Sequence, residues 1–460
     1  MAEAPAPRLA AAFYGDDVTG STDALAQYHR AGLRSLLLFG TPGAAELREL
    51  AARYDVIGVA GVARSLPTDR MEDEVGPALT ALGAAGPRLV QYKICSTADS
   101  SPEVGSLGRA IEIGRTVFGR APVPVLAAQP EFGRYTAFGH HFAAEAGTVH
   151  RLDRQPTMSR HPVTPMTEAD LRLHLGRQTS LPIGSFDLTG YELPRDQARI
   201  RYLRLLSEAE PAPGALVFDA VTQAHLVRAA ELILAGRSQV YALGSGGLSH
   251  GVATRLAPAA APPAPGPPGV PRPPGASGAG GPVLVVSGSC APRTAEQIRH
   301  ALAHGWHGIP LDPEDGASPA ALARVRDATL RALARAPGAV VHTALGPLGP
   351  ARVGPNPLSF IGPALAHLVA EAVAHAGVRR VVVAGGDTAG RVIRALGARS
   401  AEIDTLLGPG VALCRLGAAH APLDGVRILL KGGQAGEADL FRRVGGAEPA
   451  PPGPRHTGAR

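Results

Sequence analysis

Short, uninterrupted apolar runs rich in β-branched residues recur along the chain, and they alternate with stretches whose apolar positions repeat at helical spacing. In the first half the runs are LAAAFYG, SLLLFG, DVIGVAG, LVQYKIC, VPVLAAQ, GALVFDAV and QVYALGSGG; in the second they are VLVVSGS, GAVVHTAL, RRVVVAGGD and VRILLKGG. A strand that is apolar on both faces needs cover on both faces, so the pattern predicts parallel sheets with helices on either side. One helix follows the first run, carries Ala24, Leu25 and Tyr28 on one face and stops at Gly32. Another is opened by Thr294 and Gln297 at capping-box spacing, buries Ile298, Ala301 and Leu302, and ends at Gly305. A third has Ala389, Val392, Ile393 and Leu396 on one face and is closed by Gly397.

The alternation breaks twice. Residues 256–281 are rich in Pro, Gly and Ala without apolar periodicity and read as a linker or loop, and residues 446–460 read as a disordered tail of the same composition. The chain therefore divides into an N-terminal domain, 1–255, and a C-terminal domain, 282–445. With 460 residues and 45% hydrophobic side chains there is enough apolar material for two cores. The fold class is α/β, with two domains of mainly parallel sheet covered by helices.

Charge changes the picture little. The formal net charge of +6 is spread along the chain without basic runs, and aromatics make up 4%, so a base-stacking, nucleic-acid-binding surface is not expected. No apolar stretch is long enough to span a membrane, and the first ten residues do not carry the pattern of a secretory leader; a cytoplasmic protein is expected. Cys95, Cys290 and Cys414 are widely spaced, which fits neither a disulfide framework nor a structural zinc site, and no metal ligands are assigned. Of the 45 basic residues other than histidine, two are lysines, Lys93 and Lys431. In a chain that otherwise uses arginine, each marks a place that calls for a compact ammonium.

In parallel sheets ligands bind at the carboxyl ends of strands, where glycine turns feed helix N-termini. In the first such turn, GDDVTGSTD, Asp16 and Asp17 stand side by side; one can accept a hydroxyl proton while the other orients the group, although a single aspartate there would also cap the helix. Arg64, at the end of the third run, can hold a carboxylate in a two-bond fork. Lys93 and Cys95, at the end of the fourth run, and Ser96 and Thr97 just after it form a cradle for an anionic acid. In the second half, Ser287 and Ser289 end one strand, Gly385, Gly386, Asp387 and Thr388 form a strand–glycine–helix turn, and Lys431, Gly432 and Gly433 end the last strand. Such turns suit nucleotide phosphates, because glycine admits close approach and the helix dipole favours negative charge. No Walker A lysine signature is present. His140 and His141 read as a solvated or half-buried pair rather than a metal site.

Taken in order, GDDVTGSTD, ARS at 63–65, KICST, HPVTPM at 161–166, FDAVT at 218–222, GSGGL, SGSCAPRT, GGDTAG and LKGGQAG resemble the four-carbon acid sugar kinase family, across almost the whole chain. The resemblance implies a sugar-acid-binding N-terminal domain, an ATP-binding C-terminal domain, an active site in the interdomain cleft, and transfer of phosphate to a terminal hydroxyl. It implies ATP and Mg2+ as cofactors. Asp16, Arg64, Lys93, Cys95, Ser96 and Thr97 would bind the acid; Ser287, Ser289, Gly385, Gly386, Asp387, Thr388, Lys431, Gly432 and Gly433 would bind the nucleotide. Asp17 is the first choice of base and Asp387 the second. The family commonly has aspartate where this chain has Cys95, and an arginine just downstream is replaced by Asp99, Ser100 and Ser101, which points to a shifted substrate such as 3-oxo-isoapionate. The partners are then a small sugar acid and ATP, with no nucleic acid or membrane, and a homo-oligomer remains open. The competing classes are a dehydrogenase or lyase of similar acids, which NAD rather than ATP would stabilise, and a non-catalytic sugar-acid sensor, which would bind the acid without ATP turnover.

Overall fold

The structure is a computed structural model that describes residues 9–207, 210–235, 237–257, 281–312, 318–346 and 358–446. Most of the Pro/Gly/Ala stretch and all but the first residue of the tail lie outside the described residues. The chain forms two compact units, residues 1–268 and 269–460.

The first unit contains β1 (Ala11–Gly15), α1 (Val18–Arg30), β2 (Ser35–Leu38), α2 (Ala44–Ala51), β3 (Val56–Ala60), α3 (Met71–Ala84), β4 (Leu89–Lys93), α4 (Leu107–Phe118), β5 (Val123–Leu126), β6 (Arg134–Ala137), β7 (His140–Glu145), β8 (Thr148–Arg151), α5 (Leu171–Gly176), β9 (Ile183–Phe186), α6 (Arg195–Ser207), β10 (Ala215–Phe218), α7 (Gln223–Ile233), β11 (Val240–Gly244) and α8 (Gly246–Leu256). Its parallel strands run in the order β2-β3-β1-β4-β11-β5-β10-β9. Every residue of β1, β3, β4 and β11 is buried, as a sheet covered on both faces requires. From β1 the chain crosses to β2 in one direction, and from β3 to β4 in the other. Right-handed crossovers therefore put α1 and α3 on opposite faces and open a crevice at the carboxyl ends of β1 and β4.

The second unit contains β12 (Val283–Ser287), α9 (Pro292–Ala303), β13 (His307–Pro310), α10 (Pro319–Leu333), β14 (Gly338–His342), α11 (Leu358–His375), β15 (Arg380–Ala384), α12 (Gly386–Ala395), β16 (Ala398–Gly408), β17 (Val411–Ala418), β18 (Arg427–Lys431) and α13 (Leu440–Val444). Strands β13-β14-β12-β15-β18 are parallel, with the crossover direction reversing between β12 and β15. Strands β17 and β16 continue the sheet antiparallel, with register shifts between them.

Each apolar run of the sequence analysis is a strand. The sheets are mainly parallel, as expected, and the antiparallel parts are the β16/β17 pair and a separate sheet, β6-β7-β8, beside the carboxyl end of β10. The helix expected to be capped by Thr294 begins instead at Pro292, a residue whose missing N–H suits the first helical position, and the Ala291 side chain makes no capping bond. Ile298 and Ala301 are buried as expected, while Leu302 is half-buried. Among the described residues no helix is long and apolar enough to cross a membrane.

Candidate active site

Register assembles the first constellation. Gly15 is level with Ala60 on one side and Lys93 on the other, and Lys93 with Gly244, so the turns after β3, β1, β4 and β11 leave the sheet together. Asp17 caps α1, its Oδ1 accepting from the Gly20 amide at 2.7 Å and its Oδ2 from the Thr19 hydroxyl at 2.7 Å. Arg64 Nη2 and Nη1 also donate to those two oxygens, at 3.2 and 3.1 Å. The four acceptor positions of Asp17 are therefore filled. Among the described residues the Asp16 carboxylate accepts from Arg64 alone, Nη2 at 2.7 Å and Nε at 3.4 Å, and keeps acceptor capacity in reserve. Burial raises the Asp16 carboxyl, the Arg64 charge pulls it back and Asp17 pushes it up again, leaving it at about 6. The Arg64 fork, read from sequence as a carboxylate receptor, is thus closed on two carboxylates of the protein itself.

Lys93 is buried, 2% exposed, and donates to the Ile94 carbonyl at 2.8 Å. Its Nζ is 3.9 Å from Asp23 Oδ2, leaving donor capacity beyond these contacts. Asp23 in turn accepts from Gln129 Nε2 at 3.1 Å. A Cβ on Gly246 would stand 2.2 Å from Asp23 Oδ2 and 2.6 Å from Gln129 Nε2, so glycine there lets the start of α8 press against the pair.

Cys95 Sγ lies 2.9 Å from Thr97 Oγ1, and the Thr97 hydroxyl donates to Asp99 Oδ1 at 2.7 Å; with its proton so placed, Thr97 accepts from the thiol. Burial, with Asp99 nearby, pushes the Cys95 thiol up to about 11 and keeps the proton on sulfur. Burial would raise Asp99 too, but the Arg64 charge and the bonds from Thr97 and Cys95 outweigh it and hold the carboxyl below its usual range. A carboxylate therefore does sit beside Cys95, supplied four positions later in the chain. The half-buried Ser96 accepts through its carbonyl from His141 Nε2 at 2.8 Å. His141 is fully buried, Thr136 Oγ1 is 2.9 Å from its Nδ1, and burial drives it down to about 4, so it is a neutral strut rather than half of a solvated pair.

In the second unit Ser287 is level with His342 and Ala384, and Ala384 with Lys431. The Ser289 amide donates to Ser287 Oγ at 3.3 Å, and Gly385 adopts φ 117°, a turn that glycine permits. Among the described residues no side chain caps α12, so the amides of Gly386, Asp387 and Thr388 stand at its positive end, with Asp387 exposed on the first turn. Lys431, 1% exposed, donates to Thr294 Oγ1 at 2.9 Å, and Thr294 donates to the Gly433 carbonyl at 2.7 Å. Gln297 Nε2 donates to the carbonyls of Ala435, Gly436 and Glu437, so the two residues read as a capping box instead shape the glycine loop. Burial, helped by Arg293, lowers Lys431 to about 7. A buried ammonium, glycine turns and an uncapped helix end fit a polyphosphate; Asp387 fits a magnesium ion travelling with it. Among the described residues no three His, Cys, Asp or Glu side chains cluster as a metal site.

Sequence reasoning passed over Asp23, Gln129 and Arg134, and gave His141 no structural role. Asp23 and Gln129 stand inside motifs that were read; Arg134 and His141 lie on the antiparallel hairpin, where no strand-end glycine turn marks them.

Residues 11–252 match the family model of a sugar-binding N-terminal domain and residues 284–441 that of a nucleotide-binding C-terminal domain. The protein is therefore of the class that joins a sugar-binding α/β domain to a nucleotide-binding one. A 3-oxo-isoapionate kinase of Paraburkholderia graminis is 39% identical over 464 aligned positions, covering 95% of this chain and 94% of that one, and a 3-oxo-tetronate kinase of Methylobacterium radiotolerans is 30% identical, covering 95% and 98%. The chain belongs to the four-carbon acid sugar kinase family, ATP-dependent phosphotransferases with an alcohol group as acceptor. A crystal structure of a Salmonella typhimurium LT2 protein shares the fold with TM-score 0.71 at 23% identity, covering 94% of this chain and 98% of that one.

Proposed function

We propose that this protein transfers the γ-phosphoryl group of ATP to a terminal hydroxyl of a branched, oxidised sugar acid of the 3-oxo-isoapionate kind. The observation that carries this choice of acid is the 39% identity, over nearly the full length of both chains, to a kinase named for it. The Cys95–Thr97–Asp99 chain agrees with it, since it changes the donors and acceptors beside the acid relative to the aspartate common in the family.

In this reading Lys93 and the turns after β1, β3 and β4 hold the acid, while Lys431, the α12 amides, Ser287, Ser289, Gly432 and Gly433 hold the phosphates. The substrate hydroxyl oxygen bonds to the γ-phosphorus as the bond to the β–γ bridging oxygen breaks, ADP leaves, and the hydroxyl proton passes to a carboxylate. Of the adjacent pair, Asp16 is better fitted to take it: Asp17 has no acceptor position left, and Asp16 has spare positions and a carboxyl near 6. Asp17 then fixes α1 and Arg64. Magnesium, held by the phosphates and Asp387, would supply neutralisation of the charge that develops in transfer.

The test is ADP release from ATP and magnesium with 3-oxo-isoapionate, 3-oxotetronate, threonate and erythronate. Highest turnover with 3-oxo-isoapionate is expected; highest turnover with another acid replaces the substrate, and no turnover with any removes the kinase reading.

A further inference from the structure

With Arg64 closed on Asp16 and Asp17, the acid's own carboxylate needs another receptor. Arg134, the first residue of β6, has the required form. Its Nη1 donates to the carbonyls of Phe132 at 2.8 Å and Ala144 at 3.1 Å, which locks the guanidinium plane. Its Nε is buried without a hydrogen-bond partner, and among the described residues no carboxylate lies in ion-pair contact with it. The free edge, Nε with Nη2, is the one a carboxylate takes in two parallel bonds. Glu145, an acid close by, is occupied by Gln155 Nε2 at 2.6 Å and Thr157 Oγ1 at 2.9 Å.

Two independent relationships turn this side chain toward the acid's cradle. Arg134 and Gln129 exchange backbone bonds, at 2.9 and 3.2 Å, as an antiparallel pair, so their side chains share a face, and the Gln129 amide binds Asp23 beside Lys93. Thr136, two residues along β6 and so on the same face, reaches His141, which bonds the Ser96 carbonyl. The hairpin that carries Arg134 is held in place: Thr136 bridges Ala220, and the buried Asp219 carboxylate accepts from the amides of Phe138 at 2.5 Å and Gly139 at 2.9 Å. Burial lowers the Arg134 pKa, and the carboxylates of Glu145 and Asp99 act against that lowering, in agreement with this placement.

We propose that Arg134 receives the carboxylate of the substrate in a two-bond fork, and that Arg64 instead positions Asp16 and Asp17. This rests on the sugar-acid kinase reading. The experiment compares wild type with Arg134→Gln and Arg134→Lys, using 3-oxo-isoapionate and its carboxamide, by ADP release and by direct binding without nucleotide. In wild type the acid is preferred over the amide by about a hundredfold. Arg134→Gln brings that ratio close to one, with ATP affinity unchanged, and Arg134→Lys keeps part of it. A merely structural role would weaken acid and amide together; an unchanged ratio in folded Arg134→Gln or Arg134→Lys overturns the assignment. If wild type binds the acid through Arg134 yet forms no ADP, the kinase reading falls while this inference stands.

Discussion

Arg64 Nη2 lies 2.7 Å from Asp16 Oδ1, a contact between side chains 48 positions apart that ties the turn after β3 to the turn after β1. The same guanidinium reaches both oxygens of Asp17, and this sharing separates two carboxylates that look equivalent in sequence.

If Asp16 is the base, Asp16→Asn lowers kcat by about a hundred- to ten-thousand-fold while ATP affinity stays within error. The base must be deprotonated to act, so wild-type kcat/KM rises with pH through about 6, and the small residual rate of Asp16→Asn lacks that limb. Asp17→Asn keeps more turnover and, because asparagine caps a helix as well as aspartate, keeps the α1 cap; Asp17→Ala, which removes it, costs about 1 kcal/mol in denaturant melts. Reversed behaviour of the two asparagine variants would return the base to Asp17.

His141 and His174 are both buried and lowered to about 4 by burial. The unfolded chain binds protons at these sites below its ordinary histidine pKa of about 6.5, whereas the folded chain does so only near 4. Stability from each is therefore present above 6.5 and lost as pH falls through that window, by about 3 kcal/mol per histidine. Thermal melts from pH 7 to pH 4 should fall less steeply for His141→Gln and His174→Gln than for wild type; parallel slopes would contradict the burial argument.

Lys431, at about 7, is mostly neutral at pH 8. Bound polyphosphate favours the ammonium, so ATP binding at pH 8 should take up close to one proton, and affinity should weaken as pH rises above 7. Calorimetry in two buffers of different ionisation enthalpy measures the uptake, and Lys431→Arg should abolish it. Equal heats in the two buffers would place Lys431 away from the phosphates.

A Cβ on Gly432 meets nothing within 4 Å, whereas one on Gly433 would stand 2.7 Å from Ala291 Cβ and 2.9 Å from Ser289 Oγ. Gly432→Ala should therefore leave Tm nearly unchanged while raising the KM for ATP, because the added methyl enters the space assigned to phosphate. Gly433→Ala should lower Tm as well, by a core-overpacking cost of about 1–3 kcal/mol. An unaltered KM in Gly432→Ala would argue against that loop as a phosphate cradle.

Much of the fold was legible because a parallel strand covered on both faces has to be apolar throughout. The runs ending at Gly15, Lys93, Ser287, Ala384 and Lys431 announced both the strands and the turns after them, and in-register pairing then assembled the residues on those turns. The antiparallel sheet from β6 to β8 carries no such signature: β6 and β7 are half-buried and β8 is largely exposed, and the residues that matter on it are exceptions to its pattern. Asp16 and Asp17, Lys93, the glycine turns and the two-domain division could all be read from the chain itself, since residue type and local spacing define them. Which aspartate keeps an open acceptor, that Arg64 is already paired, that Thr294 serves Lys431 instead of capping a helix, and that Arg134 has a free edge were decided by tertiary structure alone. Hydrogen-bond occupancy and burial depend on partners tens of residues away, and no local pattern encodes them.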